Sequence, residues 1–189
     1  MKNERGERTL ILTEPTWVHV TITCYGQWLP GDPRGFRTRH HREHVEGDYK
    51  RPPVENYSAR HRQSKRLLKQ SPVVLKPADR RIVVDKLRER FGFDGVVPAA
   101  IAVAATHAHV YARFPAGEPK KLVGRAKRNA TAALRDVGHG EKVWAKQSRC
   151  EVIEDHGHAR NLYAYILRHA EREGAALYRW KGKHAAGLD

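Results

Sequence analysis

Polar and apolar residues alternate along 16–26, TWVHVTITCYG, where β-branched and aromatic side chains dominate. A period of two with that composition predicts a strand with one buried face. Along 76–93 the apolar residues recur instead at helical spacing, between a proline near the start and Gly92 near the end, which predicts an amphipathic helix. The apolar stretch that follows predicts two adjacent strands, at 97–105 and 107–114.

In the second half of the chain, segments with the period of a helix again alternate with segments with the period of a strand. We expect a helix at 118–136, a strand within 142–154 and a helix at 158–178. The predicted order is therefore strand, helix, strand, strand, helix, strand, helix. That order is typical of an α+β fold, a ferredoxin-like βαββαβ sandwich with an additional C-terminal helix. Helices would cover one face of an antiparallel sheet, and the other face would be available for a site.

Length and charge add a domain organisation and a class of partner. A chain of 189 residues predicts one domain spanning 1–189. Within it, 34–75 is predicted to be a long basic loop insertion after the first strand, and 179–189 a basic tail. The net charge of +15 favours an anionic partner, with nucleic acid ahead of a membrane surface, because Lys and Arg neutralise phosphates.

The two cysteines, Cys24 and Cys150, are too few for a disulfide framework or a zinc site built on CxxC pairs. Reduced thiols in a cytoplasm are the resulting expectation. The charged start of the chain has no apolar core typical of a signal peptide. No apolar run approaches the ~20 residues of a membrane span, so we expect no membrane partner.

The motif His107-Ala108-His109 lies inside a predicted strand. Residues two apart on a strand point to the same face, so the two imidazoles can meet one metal ion. Chance is a real alternative, because the chain has 12 histidines and contains a second His-x-His at His156-Gly157-His158. The pair is then either a set of metal ligands or two sheet-face histidines bonded to neighbours or water.

The last predicted helix favours the metal interpretation. Tyr165 and His169 are four residues apart and therefore share a helix face. If that helix docks on the sheet, two strand histidines and one helix histidine form an open three-ligand site with a tyrosine beside it. The alternative for the pair is a core tyrosine and a surface histidine.

These motifs, His107-Ala108-His109 and Tyr165-Ile166-Leu167-Arg168-His169-Ala170, resemble those of the HUH single-tyrosine transposases, and most closely the REP-associated tyrosine transposases. Those proteins show His-hydrophobic-His, a basic helix, a Trp-containing strand (here KVWAKQSRCEVI) and a helix with Tyr-Ile-x-x-Asn-Pro. The segment HVTITCYGQWLPGDPRG is also similar. The chain departs from the pattern at His169-Ala170, which stand where the family has Asn-Pro, and histidine retains a ligand there.

The resemblance implies a metal-dependent endonuclease and strand transferase that acts on single-stranded or hairpin DNA. It implies Tyr165 as the nucleophile, a 5′-phosphotyrosine intermediate, and His107, His109 and His169 as ligands of Mg²⁺ or Mn²⁺. Relatives build the site within one chain or between two, so a homodimer is possible. The resemblance also implies a location in a bacterial-type cytoplasm, close to the nucleoid. Tyr163 is the rival nucleophile, which is less favoured because no histidine follows it four residues later.

The remaining candidates concern DNA. Five cations of the helix predicted at 118–136 are assigned to phosphate contact: Lys120, Lys121, Arg125, Lys127 and Arg128. The 34–69 segment is a candidate for gripping DNA, with three aromatic residues available for stacking: Trp28, Phe36 and Tyr57. The run HHREH (His40, His41, His44) is a second metal cluster or a solvated basic patch. Two other functions stay open, a hairpin-binding protein that does not cut and a metal-dependent RNA hydrolase that uses water.

Overall fold

A computed structural model describes residues 10–33, 58–140 and 142–181, and those residues form one five-stranded antiparallel sheet with four helices. The elements in chain order are β1 (Thr16–Cys24), α1 (Ser58–Arg66), α2 (Pro77–Phe93), β2 (Val97–Val103), β3 (His107–Phe114), α3 (Pro119–Arg135), β4 (Trp144–Val152), α4 (His156–Glu173) and β5 (Ala176–Arg179). The strand order across the sheet is β4-β1-β3-β2-β5. The first four strands, with α2 and α3 as the crossovers, are the predicted ferredoxin-like βαββαβ unit, so the predicted fold is confirmed.

The larger core lies on one face of the sheet, beneath α2 and α3. Alternate residues of β1, among them Val18, Val20 and Ile22, point into it and are fully buried. They meet the apolar stripes of the two helices, whose central residues Leu87 and Ala126 are also fully buried. This packing of sheet on helix pair provides the rigid support for everything carried on the opposite face.

The opposite face of the sheet is not left open, because α4 packs across it. The buried residues of α4 and of the sheet beneath it form a second, smaller cluster that consists largely of alanine. Its members are Ala99, Ala100, Ala102, Tyr111, Ala159, Leu162, Ile166 and Ala170. Alanines on both sides let the helix backbone approach the sheet closely. The expected free face is therefore half covered, and the part beside α4 remains accessible.

A buried carboxylate ties the first of the two packed helices to a distant loop. Asp79 accepts hydrogen bonds from the backbone N–H of Lys76 at 2.8 Å and lies 2.9 Å from His139 Nε2. Burial alone would raise the pKa of Asp79, but the bonds to His139 and Lys76 outweigh it and leave the pKa below its usual value. Asp79 thus caps α2 and anchors the turn that precedes β4.

The structure corrects three sequence predictions. The last helix ends at Glu173 rather than 178, because Gly174 takes a left-handed conformation (φ 57°) that terminates it. The residues after it pair with β2 as β5, so Arg179, the first residue of the predicted basic tail, is the last residue of a strand. Within the predicted loop insertion, Ser58–Arg66 form the helix α1. Residues 34–57 and 182–189 lie outside the described part of the chain.

None of the helices in the described ranges combines the length and the apolar character that crossing a bilayer requires.

Candidate functional site

Four predicted site residues come together on the face of the sheet that carries α4. His107 and His109 alternate along β3 with buried Ala108, so both imidazoles point toward α4. Tyr165 and His169 lie one turn apart on α4 and face the same point. Three elements of the fold, the strand, the helix and the alanine layer between them, therefore place side chains that are about 60 residues apart in sequence within contact distance.

The three imidazoles form a nearly equilateral triangle. Their ring centroids are 5.0 Å apart for His107 and His109, 4.7 Å for His107 and His169, and 4.9 Å for His109 and His169. One nitrogen from each ring lies within 4.8 Å of the other two. Such a spacing suits three ligands of one ion that retains open positions for substrate.

The chemistry of the nitrogens fits a metal ion. His169 Nε2 is buried and has no hydrogen-bond partner among the described residues, whereas its Nδ1 lies 3.6 Å from Glu173 Oε1. A buried nitrogen without a partner costs stability and is rare unless a ligand uses it. The ring that carries this orphaned nitrogen is one corner of the triangle of imidazoles, which makes these three residues a fitting donor set for a divalent cation.

His109 and its neighbour His19 are held in the neutral form that a metal ligand requires. Burial, reinforced by the neighbouring histidines, lowers the pKa of His109 to about 3. Burial likewise lowers the pKa of His19 beside it to about 4, although Glu151 partly opposes the shift. At neutral pH both rings are uncharged and keep a lone pair available.

Tyr165 stands at the edge of the triangle, with 44% of its surface exposed. Its hydroxyl lies 3.3 Å from His109 Nε2, and its ring stacks on that of His169 at a centroid distance of 5.7 Å. Burial, and then the charge of Glu173, raise its pKa above the ordinary value. The free phenol therefore keeps its proton, and it is both accessible and aimed at the three imidazoles.

An open cleft of about 650 Å³ leads to this site. Its walls combine the site residues with the ends of β1 and β4, a cation of α3 and an aromatic loop residue: Thr21, Thr23, Trp28, His107, His109, Lys120, Gln147, Ser148, Arg149, Cys150 and Tyr165. Trp28 is half exposed and has a φ of 54°, which is unusual for a bulky side chain. The cleft thus offers cations, hydrogen-bonding groups and an aromatic surface beside the tyrosine.

The five cations of α3 assigned to DNA are not equivalent. Only Lys120 lines the cleft. Lys121 pairs with Glu118, the N-cap residue of α3, and Arg125 lies 3.3 Å from Asp94 Oδ1. Arg128 is exposed on α3.

Lys127 has a structural environment instead. Its ammonium donates to the Ala145 carbonyl at 2.8 Å and to Ser148 Oγ at 3.3 Å, and burial lowers its pKa to about 8. These contacts hold the edge strand β4 against α3, and they use two of the three N–H donors of the ammonium group.

Other predicted candidates fall away from the site or outside the described ranges. Tyr163 packs at the border of the alanine-rich cluster rather than facing the histidines. His40, His41, His44, Phe36 and Tyr57 lie in residues that the structure does not describe.

Sequence reasoning missed two residues that adjoin the triangle. His19 Nε2 lies 3.1 Å from His109 Nδ1, and Glu151 Oε2 lies 3.8 Å from His19 Nδ1. The alternation along β1 did place His19 on the polar face of its strand. Only the strand register, which sets Thr21 opposite His109 and His19 opposite Glu151, shows that the three side chains meet.

Comparison with known proteins adds a likeness of fold. No family model and no curated protein matches the sequence. Among solved structures, a REP-associated tyrosine transposase bound to a REP hairpin matches with a TM-score of 0.53 and 11% sequence identity. The match covers 89% of this chain and 74% of that chain. The chain therefore shares the fold of that transposase, as the sequence motifs predicted.

Proposed function

We propose that this protein is a metal-dependent endonuclease and strand transferase that cuts and rejoins single-stranded DNA through Tyr165, as a transposase does. One observation carries the proposal: an accessible phenol lies 3.3 Å from His109 Nε2, at the edge of a triangle of three imidazoles. The shared fold with a transposase bound to a REP hairpin supports the same choice. The net charge of +15 and the cation-lined cleft support DNA as the partner.

His107, His109 and His169 would hold the ion, with His169 Nε2 gaining the partner that it lacks within the described part of the protein. A bound divalent cation supplies Lewis-acid polarisation of the scissile phosphate. Imidazole ligands favour Mn²⁺ over Mg²⁺, and Mg²⁺ is more abundant in cells, so both are candidates.

The residues of the chain account for the bonds made and broken. Tyr165 Oη attacks phosphorus and loses its proton, while the bond between phosphorus and the 3′-oxygen breaks. The 3′-oxygen leaves with the bonding electron pair and takes up a proton, so that overall one proton passes from the phenol to the 3′-oxygen; the products are a free 3′-OH and a 5′-phosphotyrosine. A second 3′-OH reverses the step, and no external energy source is needed because the phosphodiester is conserved.

All four side chains belong to one chain, so each copy holds a complete set. We further propose that the whole of 1–189 acts as one catalytic domain, with Lys120 contacting phosphate in the cleft. Arg128, Lys121 and Arg125 are second candidates for phosphate contact, outside the cleft. A homodimer is compatible with this arrangement but is not required by it.

The test uses DNA hairpins with single-stranded flanks, labelled at either end, with Mn²⁺ and a denaturing protein gel. Tyr165 linked to a 5′-phosphate retains the 3′ side of the DNA, so only the 3′ label should migrate with the protein. The 5′ label should appear as a shorter strand with a 3′-OH. Tyr165→Phe should abolish both products, and Tyr163→Phe, the matched control, should retain them.

Two other outcomes would identify a different function. Tight binding of hairpins without any adduct or cut would indicate a DNA-binding protein that does not cleave. Cleavage that survives Tyr165→Phe, on DNA or RNA, would indicate a hydrolase in which water is the nucleophile.

A further inference from the structure

His19 lies directly behind one of the proposed metal ligands. In the antiparallel pairing of β1 with β3, Thr21 is opposite His109, so His19 is its diagonal neighbour on the same face. The rings of His19 and His109 are nearly parallel, with an interplanar angle of 28° and centroids 5.2 Å apart. Their facing nitrogens, His19 Nε2 and His109 Nδ1, lie 3.1 Å apart, which is hydrogen-bond distance.

Glu151 continues this line on the other side of His19. It lies opposite His19 in the pairing of β1 with β4, and its Oε2 lies 3.8 Å from His19 Nδ1. Glu151 also contacts Arg149, a residue of the cleft wall. A row of side chains therefore runs across three neighbouring strands, from Glu151 through His19 to His109.

The hydrogen bond between the two imidazoles permits only two arrangements of the shared proton. If His109 Nδ1 carries the proton and donates it, His109 Nε2 has a free lone pair and His19 has its own proton on Nδ1. If His19 Nε2 donates instead, the proton of His109 moves to Nε2, and that nitrogen is lost as a ligand. A carboxylate only accepts, so Glu151 beside His19 Nδ1 favours the first arrangement.

We propose that His19, supported by Glu151, is a positioning residue that keeps the proton of His109 on Nδ1 and so reserves His109 Nε2 for the metal. The inference rests on the proposed function, and it deepens that function by naming what orients the ligand. Partners of this kind, behind a metal-bound histidine, fix the tautomer and the ring orientation. The position of Tyr165, with its hydroxyl 3.3 Å from His109 Nε2, agrees with an unprotonated nitrogen there.

The inference predicts an order of effects. His19→Phe keeps an aromatic ring and removes the acceptor, so Mn²⁺ affinity should fall about 10- to 100-fold. His19→Gln offers a side-chain oxygen to the His109 Nδ1 proton, so it should retain much more of the affinity. Glu151→Gln should weaken binding by a smaller factor than His19→Phe, because Glu151 is 42% exposed and solvent screens its charge.

The measurement is calorimetric titration of the full-length, metal-free protein with Mn²⁺. His61→Phe and Glu154→Gln are matched controls that change a histidine and a glutamate elsewhere, and both should bind as the wild type does. A second readout needs no metal: nitrogen NMR of the histidine side chains should show His109 protonated at Nδ1 and bare at Nε2. His19→Phe and Glu151→Gln should move that proton toward Nε2.

The results separate the two proposals. If the wild type binds Mn²⁺ and His19→Phe binds equally tightly, the role of His19 is refuted while the proposed function stands. If the wild type binds no Mn²⁺ and forms no adduct, the proposed function fails, and the NMR spectrum alone decides the tautomer. Should His19→Phe fail to fold, Glu151→Gln carries the test, since its change is at a partly exposed site; an unchanged His109 signal would overturn the inference.

Discussion

Replacing His169 by leucine should change stability in opposite directions with and without metal. In the metal-free protein, His169 Nε2 is buried without a partner among the described residues. Leaving such a group unsatisfied costs about 1–3 kcal/mol. Leucine removes the polar atom, has a good helix propensity and fills a comparable volume.

The interactions that His169→Leu removes are weak. His169 Nδ1 lies 3.6 Å from Glu173, which is 44% exposed, and a pair of that kind contributes little. Some ring packing against His107 also disappears. We therefore expect the metal-free variant to be about 1 kcal/mol more stable than the wild type, after part of the gain is offset by repacking.

Bound metal should make the wild type more stable than the His169→Leu variant. At a free Mn²⁺ concentration about 100 times Kd, a folded protein that binds one ion gains about 2.7 kcal/mol. For a chain of this size each kcal/mol corresponds to about 2–4 °C in Tm, so the wild type should gain about 5–11 °C. The variant lacks one of three ligands and should gain far less.

Thermal unfolding, followed by circular dichroism in EDTA and at a series of Mn²⁺ concentrations, tests this reversal of the relative stability. His61→Leu serves as the control, because it changes a histidine on α1 and should retain the full response to metal. A variant that is less stable than the wild type in EDTA as well as in Mn²⁺ would show that His169 is an ordinary packing residue. If Mn²⁺ leaves the Tm of the wild type unchanged, the proposal that these histidines bind metal is refuted.

Three further predictions concern the assembly of the site, the cleft and the support of α2. Because each chain holds a complete set of residues, mixing Tyr165→Phe with His107→Ala protein should restore no DNA cleavage; recovered cleavage would show that two chains share a site. Lys120→Ala should weaken hairpin binding and reduce the salt slope by about 1, whereas Lys127→Ala should lower Tm with less effect on the slope, as fluorescence anisotropy and melting can show. Asp79→Asn should cost about 1–2 kcal/mol near neutral pH. Because folding lowers the pKa of Asp79, its contribution to the free energy of unfolding is present above about pH 4 and is lost as the pH falls through the pKa in the folded protein. Urea titrations should therefore show that the stability difference between the variant and the wild type shrinks in acid. A difference that stays constant with pH would contradict this role.

The order of the main elements was predictable because each carries a clear period. Alternation along β1 and helical spacing along α2 both reflect a single buried face, which the larger core then uses. α1 gave no such signal, because none of its residues is buried. The sequence did not predict β5, because its four residues follow closely after a helix and Gly174 is the main signal that the helix ends.

The candidate site was likewise predictable only in part. His107 with His109, and Tyr165 with His169, are each local pairs, so spacing along one element was enough to single them out. His19 is 90 residues from His109, and their contact depends on strand register, which a single sequence does not specify. The environment of Lys127 was not predictable for a related reason, since burial of a lysine depends on the strand that covers it.

The alanine layer beneath α4 acts as a spacer between the tyrosine and the imidazoles. Alanine has no side-chain rotamers, so the gap between helix and sheet has little freedom to vary where alanines of the two elements meet. A misplacement of about 1 Å can reduce the rate of a reaction by about 100-fold. Enlarging Ala102 or Ala159 by a few methyl groups is therefore expected to abolish the proposed DNA cleavage while every proposed reacting group stays intact. The residues that set the distance between Tyr165 and the imidazoles are thus the ones with the least chemistry of their own.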